Sequence, residues 1–503
     1  MSQDSVKSII ITGASGFVGR YLIESLKINY CIYAFARRTQ REANVPRQEN
    51  INWVLVDLAN EQQLEQTIEE IKAESSIDFI IHLAAFYDFD NRPDPAYEST
   101  NVRGTGLLLE HARHLNIKSF LFASSLVACK YPAPGTVSNE QSPPDAEYPY
   151  AVSKRKGEEL VREYSQYFPC VTIRFAAVFS DWCEYLPLYF FFRTWLSHRW
   201  NSHIIAGRGE SALPYIHISC LMKMIAQILD QTEQLSQHEL FIASSDRAIS
   251  HLQLFNLVTR YYYGRNKKPI FIPKILARMG IAIRDIFGRL IGRRPFERLW
   301  MVDYIDQVFN SDSSYTREKL DWQPLRRHTL ERRLLFMIEN LKSSPIEWHQ
   351  KNTARMISPT GRRPNLVLAE EMINRRNDVI DRVLTYILDK RRANIFRYYQ
   401  NLEQERVRYY IEVLYNHIIS SVRNGDRSLM ISFAQVLAHA RYNEGVRQSE
   451  LCGALQVTSE IIDDELKQNP KLKKMEILIH DYIILALQLA IDEVKDTYDH
   501  LRL

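Results

Sequence analysis

Short apolar runs alternate with helix-length amphipathic segments over the first third of the chain. In the intervening segments, such as residues 61–74, apolar residues recur at helical spacing. Strands that are apolar on both faces and alternate with helices are typical of a parallel sheet covered on both sides. The pattern therefore predicts an α/β fold with a doubly wound parallel sheet over about residues 7–180. The six predicted strands are 8–13, 31–37, 51–58, 77–85, 117–125 and 170–178.

The periodicity changes twice beyond that core. Short strands mix with helices over about 181–350, which predicts a small mixed α/β substrate subdomain that completes a domain of residues 1–352. Proline, arginine and asparagine without periodicity then predict a linker over 353–365. Helical spacing predicts an all-α domain over 366–503.

One stretch of the all-α domain, residues 445–468, has the rhythm of a helix-turn-helix. Its second predicted helix carries acidic side chains, including Glu460, Asp463 and Asp464, that would repel nucleic-acid phosphates. The net charge of +4 is likewise too small to indicate nucleic-acid binding. We therefore predict a helical bundle here and no nucleic-acid partner.

The overall composition, 46% hydrophobic and 25% charged, is that of a globular protein. The six cysteines are scattered and none has metal-ligand spacing, which predicts that no metal is bound. The N-terminal residues lack the pattern of a secretion signal, which predicts a cytoplasmic protein. The apolar stretches 186–192 and 482–491 are shorter than the ~20 residues that a spanning helix needs.

A glycine-rich loop, TGASGFVG (12–19), follows the first predicted strand and opens the first predicted helix. Gly13 permits a tight turn, Gly16 lets the backbone approach a pyrophosphate, and Gly19 lets the helix pack closely on the sheet. The N–H groups at the helix start then face the anion. The loop predicts a dinucleotide site.

The end of the second predicted strand bears on the choice of nucleotide. An acid at this point would bind a ribose 2′-hydroxyl, whereas basic residues accommodate a 2′-phosphate. The chain has Arg37 and Arg38 here, and the guanidinium fork suits a phosphate. NADP(H) is therefore favoured over NAD(H); the alternative is that both arginines are solvated surface residues.

The stretch YPYAVSK (148–154) carries the candidate chemistry. Tyr150 and Lys154 are four residues apart, so on a helix they lie on the same face. A phenol with a pKa of ~10 is a poor base, and a neighbouring ammonium favours its phenolate. Such a tyrosine exchanges a proton with a substrate hydroxyl or carbonyl while a nicotinamide exchanges hydride. Tyr148 has no lysine at that spacing and is interpreted as a packing or substrate-lining residue.

These motifs and others, in the expected order, resemble the extended branch of the short-chain dehydrogenase/reductase superfamily over about residues 7–350. The others are HLAA (82–85), NVRGT (101–105) and GRGESALPYIHI (207–218). The resemblance implies a Rossmann-type fold, catalytic roles for Tyr150, Lys154 and Asn101, and a serine that bonds the substrate oxygen. That serine is Ser125, with Ser124 as the alternative. Besides the glycines and Arg37 and Arg38, the cofactor-binding residues that it implies are Thr12, Ser15, Phe17, Val18, Asp57, Leu58, Leu83, Ala84, Ala85, Lys154, Phe175 and Val178.

The chain departs from the family pattern in two places. Where the family usually has R-P-x-x-V-Y-G, this chain has RFAAVFS (174–180), so the backbone beside the nicotinamide is expected to differ. Family dehydratases carry an acid pair after the catalytic serine or threonine. Leu126 and Val127 occupy those positions here, which disfavours dehydration.

The resulting hypothesis is an NAD(P)-dependent oxidoreductase that interconverts a secondary alcohol and a carbonyl. The aromatic segment 185–196 favours an apolar small-molecule substrate, or else belongs to the core. Two alternatives stay open. One is a nucleotide-sugar epimerase that retains NAD, and the other is a cofactor-binding sensor or scaffold with little turnover.

The remaining expectations concern partners. Residues 274–300 mix apolar residues with arginines, which is typical either of a lid over the substrate or of a helix on a membrane surface. The resemblance implies a homodimer. A regulatory or interaction role, with a protein partner, is the expectation for the all-α domain.

Overall fold

The computed structural model describes residues 6–197, 199–290, 296–353, 364–424, 426–468, 472 and 479–502. The chain forms two compact units, residues 1–356 and 357–503. The predicted linker lies outside the described residues except for Thr353, Pro364 and Asn365, which belong to helices.

The first unit is built on a seven-stranded sheet with the order β10-β6-β5-β4-β1-β2-β3, in which every pairing is parallel. The doubly wound parallel sheet predicted from the sequence is thereby confirmed. The strands of this unit are β1 (Lys7–Thr12), β2 (Tyr30–Ala36), β3 (Ile51–Leu55), β4 (Phe79–His82), β5 (Ser119–Ser125), β6 (Cys170–Phe175), β7 (Ala177–Phe179), β8 (Ile204–Ala206), β9 (Ala212–His217), β10 (His238–Ala243), β11 (Ala248–Ser250) and β12 (Ile270–Ile272).

Helices cover both faces of this sheet because its strands are apolar on both sides. Ile9 and Ile11 of β1 pack with Leu22 in one core cluster, whereas Ile10 packs with Leu108 in another. Successive strand residues point to opposite faces, so a continuous apolar run fills both cores. The helices of this unit are α1 (Phe17–Leu26), α2 (Glu61–Glu74), α3 (Gly104–Ala112), α4 (Pro149–Tyr164), α5 (Leu186–Trp195), α6 (Ile218–Asp230), α7 (His251–Tyr263), α8 (Lys274–Leu290), α9 (Ser314–Leu320), α10 (Leu330–Ser343) and α11 (Pro345–Thr353).

The sheet core extends past the expected limit near residue 180. β10 pairs with β6 at the sheet edge, and buried residues of α6 such as Ile225 join the same core cluster as β1. The smaller sheets come from the region predicted as a mixed subdomain, except for β7, which lies at the end of the predicted sheet core. They have the orders β11-β9-β7 and β12-β8.

The second unit is helical where it is described, as predicted. Its helices are α12 (Pro364–Asn374), α13 (Arg376–Leu388), α14 (Arg397–Gln400), α15 (Gln404–Asn424), α16 (Ser428–Asn443), α17 (Gln448–Lys467) and α18 (Leu485–Arg502). The turn that the helix-turn-helix pattern indicated is not formed, because residues 448–467 form one uninterrupted helix. Leu451, Leu455 and Ile462 lie in a single core cluster, so a continuous stripe of apolar residues replaces the expected turn.

Candidate active site

The glycine-rich loop lies between β1 and α1 and packs against the end of β4. Gly13 has φ of +69°, and a Cβ atom on it would lie 2.8 Å from the backbone nitrogen of Ala84. A Cβ on Gly19 would lie 2.4 Å from the Gly13 carbonyl oxygen. Only glycine therefore lets this loop turn while α1 packs against it.

The start of α1 suits an anion. Across Phe17–Leu26 the first turn contains no acidic residue, and no side chain caps the helix. The first N–H groups of a helix lack partners within the helix and carry a partial positive charge. The loop that Gly16 closes, with its N–H donating to the Gly13 carbonyl at 2.8 Å, fits a dinucleotide pyrophosphate. Ser15, Phe17 and Val18 lie on this turn.

Arg38 lies directly beside the loop. Its Nη2 donates to the Ser15 carbonyl at 2.5 Å and its Nε to Ser15 Oγ at 3.4 Å. Arg37 is exposed to solvent at the end of β2. An acid not considered in the sequence analysis, Glu42, accepts hydrogen bonds from the N–H and hydroxyl of Thr39, both at 2.9 Å. The basic side chains thus adjoin the phosphate loop, while the nearby carboxylate is engaged locally.

The residues after β3 form a tight turn. The Asp57 carboxylate accepts the Ala59 N–H at 3.0 Å, and the Asp57 N–H donates to Gln63 Oε1 at 3.0 Å. Leu58 is buried under α3, where a Cβ on Gly104 would lie 3.2 Å from it. Asp57 is partly exposed, just after β3 at the carboxyl edge of the sheet.

His82, at the end of β4, joins two hydroxyls through a fully buried network. Thr105 Oγ1 donates to the Asn101 carbonyl at 2.7 Å, so at 2.8 Å it accepts from His82 Nε2. His82 Nδ1 must then accept the Thr12 hydroxyl at 2.7 Å, and Thr12 Oγ1 in turn accepts the Ala84 N–H at 3.2 Å. Burial, with a smaller contribution from nearby Lys154, lowers the pKa of His82 to about 3. A neutral imidazole with its proton on Nε2 therefore satisfies every bond.

Asn101 lies in a π-helical turn, Tyr97–Arg103, that leads into α3. Its Oδ1 accepts the Phe86 N–H at 2.6 Å, and its Nδ2 donates to the Phe86 carbonyl at 2.9 Å and to Ser153 Oγ at 3.0 Å. Both ends of the buried amide are occupied. Asn101 therefore positions the strand extension that contains Leu83, Ala84 and Ala85 against α4.

Tyr150 and Lys154 lie on the first turns of α4, as their spacing predicts. The Lys154 Nζ donates to the Ala123 carbonyl of β5 at 2.7 Å and lies 5.9 Å from the centroid of the Tyr150 ring. Burial lowers the pKa of Lys154 to about 8, an effect that Glu158 partly offsets. Burial also raises the pKa of Tyr150, and Tyr97 adds to this increase. In the cofactor-free protein the phenol is thus protonated at neutral pH.

The two candidate serines have different surroundings. Ser124 is buried, and its hydroxyl donates to Glu158 Oε1 at 2.5 Å. Ser125 is partly exposed at the carboxyl end of β5, in register with Phe175 of β6. Ser125 is therefore the one open to a substrate. Val178, which the resemblance places with Phe175, is half-buried in β7.

A buried ion pair that the sequence analysis missed lies beneath these groups. Arg174 Nε and Nη2 donate to the Glu158 carboxylate at 3.0 and 2.8 Å, and Arg174 Nη1 donates to the Ser142 carbonyl at 2.6 Å. Both charged side chains are at most 2% exposed. Two signals were available: Glu158 follows Lys154 by four residues on one helix face, and Arg174 interrupts an apolar strand.

This geometry has counterparts among known proteins. Residues 9–243 match the NAD dependent epimerase/dehydratase family. A UDP-glucose 4-epimerase of Vibrio cholerae is 23% identical over 346 residues, which cover 63% of this chain and 91% of that protein. A dTDP-D-glucose 4,6-dehydratase of Dictyostelium discoideum is 27% identical over 188 residues, which cover 32% of this chain and 41% of that protein.

Solved structures share the fold. The Thermotoga maritima UDP-glucose 4-epimerase, determined with UDP-glucose, has a TM-score of 0.52 at 19% identity and covers 67% of this chain and 99% of its own. The Bacillus anthracis dTDP-glucose 4,6-dehydratase, determined with NAD, has a TM-score of 0.53 at 17% identity and covers 69% of this chain and 99% of its own.

Residues 9–243, which match the NAD dependent epimerase/dehydratase family, are called the epimerase/dehydratase domain below. Over these residues the match confirms the predicted resemblance to the extended short-chain dehydrogenase/reductase family. The epimerase/dehydratase domain accounts for the loop, the tyrosine–lysine pair and the Rossmann-type sheet together.

A series of aromatic contacts leads away from Tyr150. The Tyr150 ring lies 4.5 Å from that of Tyr87, which lies 4.6 Å from that of Phe89. Phe89 contacts Phe296 at 5.1 Å, and Phe296 stacks on Phe190 of α5 at 4.2 Å. Within the aromatic segment 185–196, Phe190 joins this series, while other members are core. Those buried in the core are Leu188, Tyr189, Phe192 and Trp195.

Replacing Glu158 with glutamine tests the buried ion pair. Glu158→Gln leaves the Arg174 guanidinium buried without a counter-charge, so we expect a loss of about 3 kcal/mol in the free energy of unfolding. All seven tryptophans lie in the first unit, so tryptophan fluorescence during denaturation reports on that unit. Glu159→Gln, at an exposed position on the same helix, is the matched control and should change stability little. Equal effects of the two changes would contradict a structural role for the pair.

The pKa of Lys154 makes stability depend on pH in a defined direction. Between about pH 8 and pH 10, unfolded Lys154 binds a proton that folded Lys154 does not, so folding becomes more favourable as pH rises. Over this range the free energy of unfolding of the wild type should therefore rise, relative to that of Lys154→Met, by about 1 kcal/mol per pH unit. For Lys156→Met, on the exposed side of the helix, the plot of unfolding free energy against pH should run parallel to that of the wild type. Parallel curves for Lys154→Met would show that this ammonium is not desolvated.

Proposed function

We propose that the epimerase/dehydratase domain oxidises a secondary alcohol, and reduces the matching ketone, with a nicotinamide dinucleotide. The observation that supports the proposal is that Lys154, beside Tyr150 on α4, bonds the carboxyl end of β5, the strand that ends at Ser125. The Lys154 ammonium is fixed to Ala123, two residues before Ser125, and faces the Tyr150 ring. The nicotinamide supplies or accepts the hydride when it is bound.

Three side chains of the protein would carry out proton transfer and substrate orientation. Tyr150 is protonated in the cofactor-free state, which suits it to donate to a carbonyl oxygen during reduction and to recover the proton during oxidation. The Lys154 ammonium stabilises the phenolate left behind. Ser125 bonds the same substrate oxygen and fixes its orientation.

The substrate is an apolar alcohol or ketone. Tyr87, Phe89, Phe190 and Phe296 present rings rather than charges along the path that leads from Tyr150. Dehydration has no acid to drive it at the positions after Ser125, where Leu126 is buried and hydrophobic. These features support a simple oxidoreductase over a dehydratase.

The preferred nucleotide is NADP(H). Arg38 lies against Ser15 of the phosphate loop and Arg37 is exposed beside it, where a 2′-phosphate would lie. The carboxylate of Glu42 is bonded to Thr39. This proposal is independent of the assignment of Tyr150.

A nucleotide-sugar epimerase that retains NAD is the second candidate. The relatives support it, since the Vibrio cholerae protein is a UDP-glucose 4-epimerase matched over most of its length. The two reactions differ in cofactor balance: an epimerase returns its cofactor to the oxidised state in every turnover, whereas an oxidoreductase consumes it. A protein purified with bound NAD that converts UDP-glucose without net change in nicotinamide absorbance would establish the epimerase.

Cofactor titration tests the nucleotide site. NADPH should bind the wild type at least about tenfold more tightly than NADH, because paired charge-assisted hydrogen bonds hold the 2′-phosphate. Arg37→Ala/Arg38→Ala should abolish this preference, and Arg47→Ala, at an exposed position in the same region, should retain it. Fluorescence of the reduced nicotinamide measures each affinity. Tighter binding of NADH by the wild type would refute the NADP(H) assignment.

Removing the phenolic hydroxyl tests the reaction. Tyr150→Phe should lower turnover of apolar ketones by about a hundredfold or more while leaving the cofactor affinity unchanged. Tyr148→Phe removes a hydroxyl that donates to the Val127 carbonyl at 2.7 Å. This change should lower the turnover by less than about tenfold. Absorbance of the reduced cofactor follows both. Cofactor binding with no turnover of any ketone or nucleotide sugar in the wild type would favour the sensor alternative.

A further inference from the structure

Helix α8 in the first unit presents large apolar side chains to solvent. Each of the six is between 52% and 74% exposed, far more than the scattered single residues of an ordinary surface. The preceding strand, β12, adds Ile270 and Phe271, which are also exposed. The six are Ile275, Leu276, Met279, Ile283, Ile286 and Phe287.

The helix packs on the protein through its opposite side. Ala277, Asp285 and Gly288 are buried, and at 100° per residue they fall on one face. Ile275, Met279 and the other exposed apolar residues cluster about the reverse direction. Small residues therefore face the protein and large apolar ones face away, which inverts the usual arrangement of a surface helix.

Basic residues border the apolar face. By the same helical geometry Arg278 and Arg284 lie on either side of it, and both are exposed. Arg284 contacts Glu297 at 3.4 Å. Residues 265–290 contain seven lysines and arginines and a single acid, the buried Asp285. An apolar stripe flanked by cations is the pattern of helices that lie in a lipid headgroup region.

We propose that α8 docks on the surface of an anionic lipid bilayer. Its six apolar side chains enter the boundary between headgroups and acyl chains, and Arg278 and Arg284 contact lipid phosphates. None of the helices in the described parts of the chain has the length and hydropathy to span a membrane. A lid over the substrate, the alternative that the sequence left open, would need this apolar face turned toward the protein.

The residues that follow α8 connect it to the candidate active site. Trp300 Nε1 donates to the Phe89 carbonyl at 3.0 Å, and Arg298 Nε donates to the Asp90 carboxylate at 2.6 Å. Phe296 belongs to the aromatic series that starts at Tyr150. The docking helix and one wall of the site thus belong to the same stretch of chain, although the docking proposal does not depend on the reaction.

Vesicle co-sedimentation of the full chain tests the proposal. The wild type should pellet with phosphatidylcholine vesicles that contain phosphatidylserine. Ile275→Ser/Ile283→Ser/Phe287→Ser should weaken this partitioning by at least about a hundredfold, because three apolar anchors are removed. The matched control, Val6→Ser/Ile28→Ser/Leu335→Ser, changes three comparably exposed apolar residues outside α8 and should bind as the wild type does. All six positions are exposed, and tryptophan fluorescence confirms that each variant is folded.

A charge variant separates the two contributions. Arg278→Gln/Arg284→Gln should lose about fivefold in binding per removed charge on the anionic vesicles and remain unchanged on pure phosphatidylcholine. Equal loss on both kinds of vesicle would contradict the contact with lipid phosphates.

Three results would overturn the proposal. The first is failure of the wild type to bind anionic vesicles, and the second is equal loss by the α8 variant and its control. The third is cover by protein: a wild-type dimer, measured by light scattering, that the α8 triple variant dissociates. In that third case a second copy is the occupant.

Discussion

The Glu158–Arg174 ion pair holds the candidate active site in one geometry. Glu158 belongs to the helix that carries Tyr150 and Lys154, and Arg174 belongs to the strand that ends beside the cofactor residues. Ser124 joins the same carboxylate from a third element. A buried charge is costly unless its partner stays in place, so this pair penalises any shift of the helix along the sheet. The positions of the chemical groups follow from that penalty.

The buried polar side chains near this ion pair also have hydrogen-bond partners for their polar atoms. His82 bonds both threonine hydroxyls, and Asn101 uses both ends of its amide. Fully satisfied buried networks are rigid because every alternative arrangement leaves a group unpaired. The side chains left with free reach, such as Ser125, are those at the sheet edge where a substrate would enter. The buried part of the site is therefore rigid, and the part at the strand ends is accessible to a substrate.

The sequence could predict the features that depend on local pattern. Continuous apolar runs gave the strands, the glycine spacing gave the loop, and the interval from Tyr150 to Lys154 gave their shared face. The partner of Glu158 could not be predicted, because nothing local relates α4 to β6. The resemblance favoured Ser125 over Ser124, but the local pattern could not supply the reason, which is that the Glu158 carboxylate binds Ser124. The interruption expected within 448–467 failed because apolar residues continue at helical spacing through it.

Periodicity also cannot give direction. The apolar stripe of α8 has the same spacing whether it faces the protein or the solvent, and only the burial of Ala277 and Gly288 decides between them. The sequence pattern of such a helix therefore gives the position of the apolar stripe but not whether that stripe faces the protein or the solvent. Only the three-dimensional packing decides this.

The π-helical turn before α3 makes the length of the chain critical there, in addition to the identity of its two anchoring residues. The Gly104 N–H donates to the Ser99 carbonyl, so the turn holds one residue more than an α-helix would. Two anchors depend on that extra residue: Tyr97 bonds the backbone of Asp88, and Asn101 bonds the backbone of Phe86. Deleting one residue between them would shift one anchor out of register with the other. Homologues should consequently keep the length of this turn.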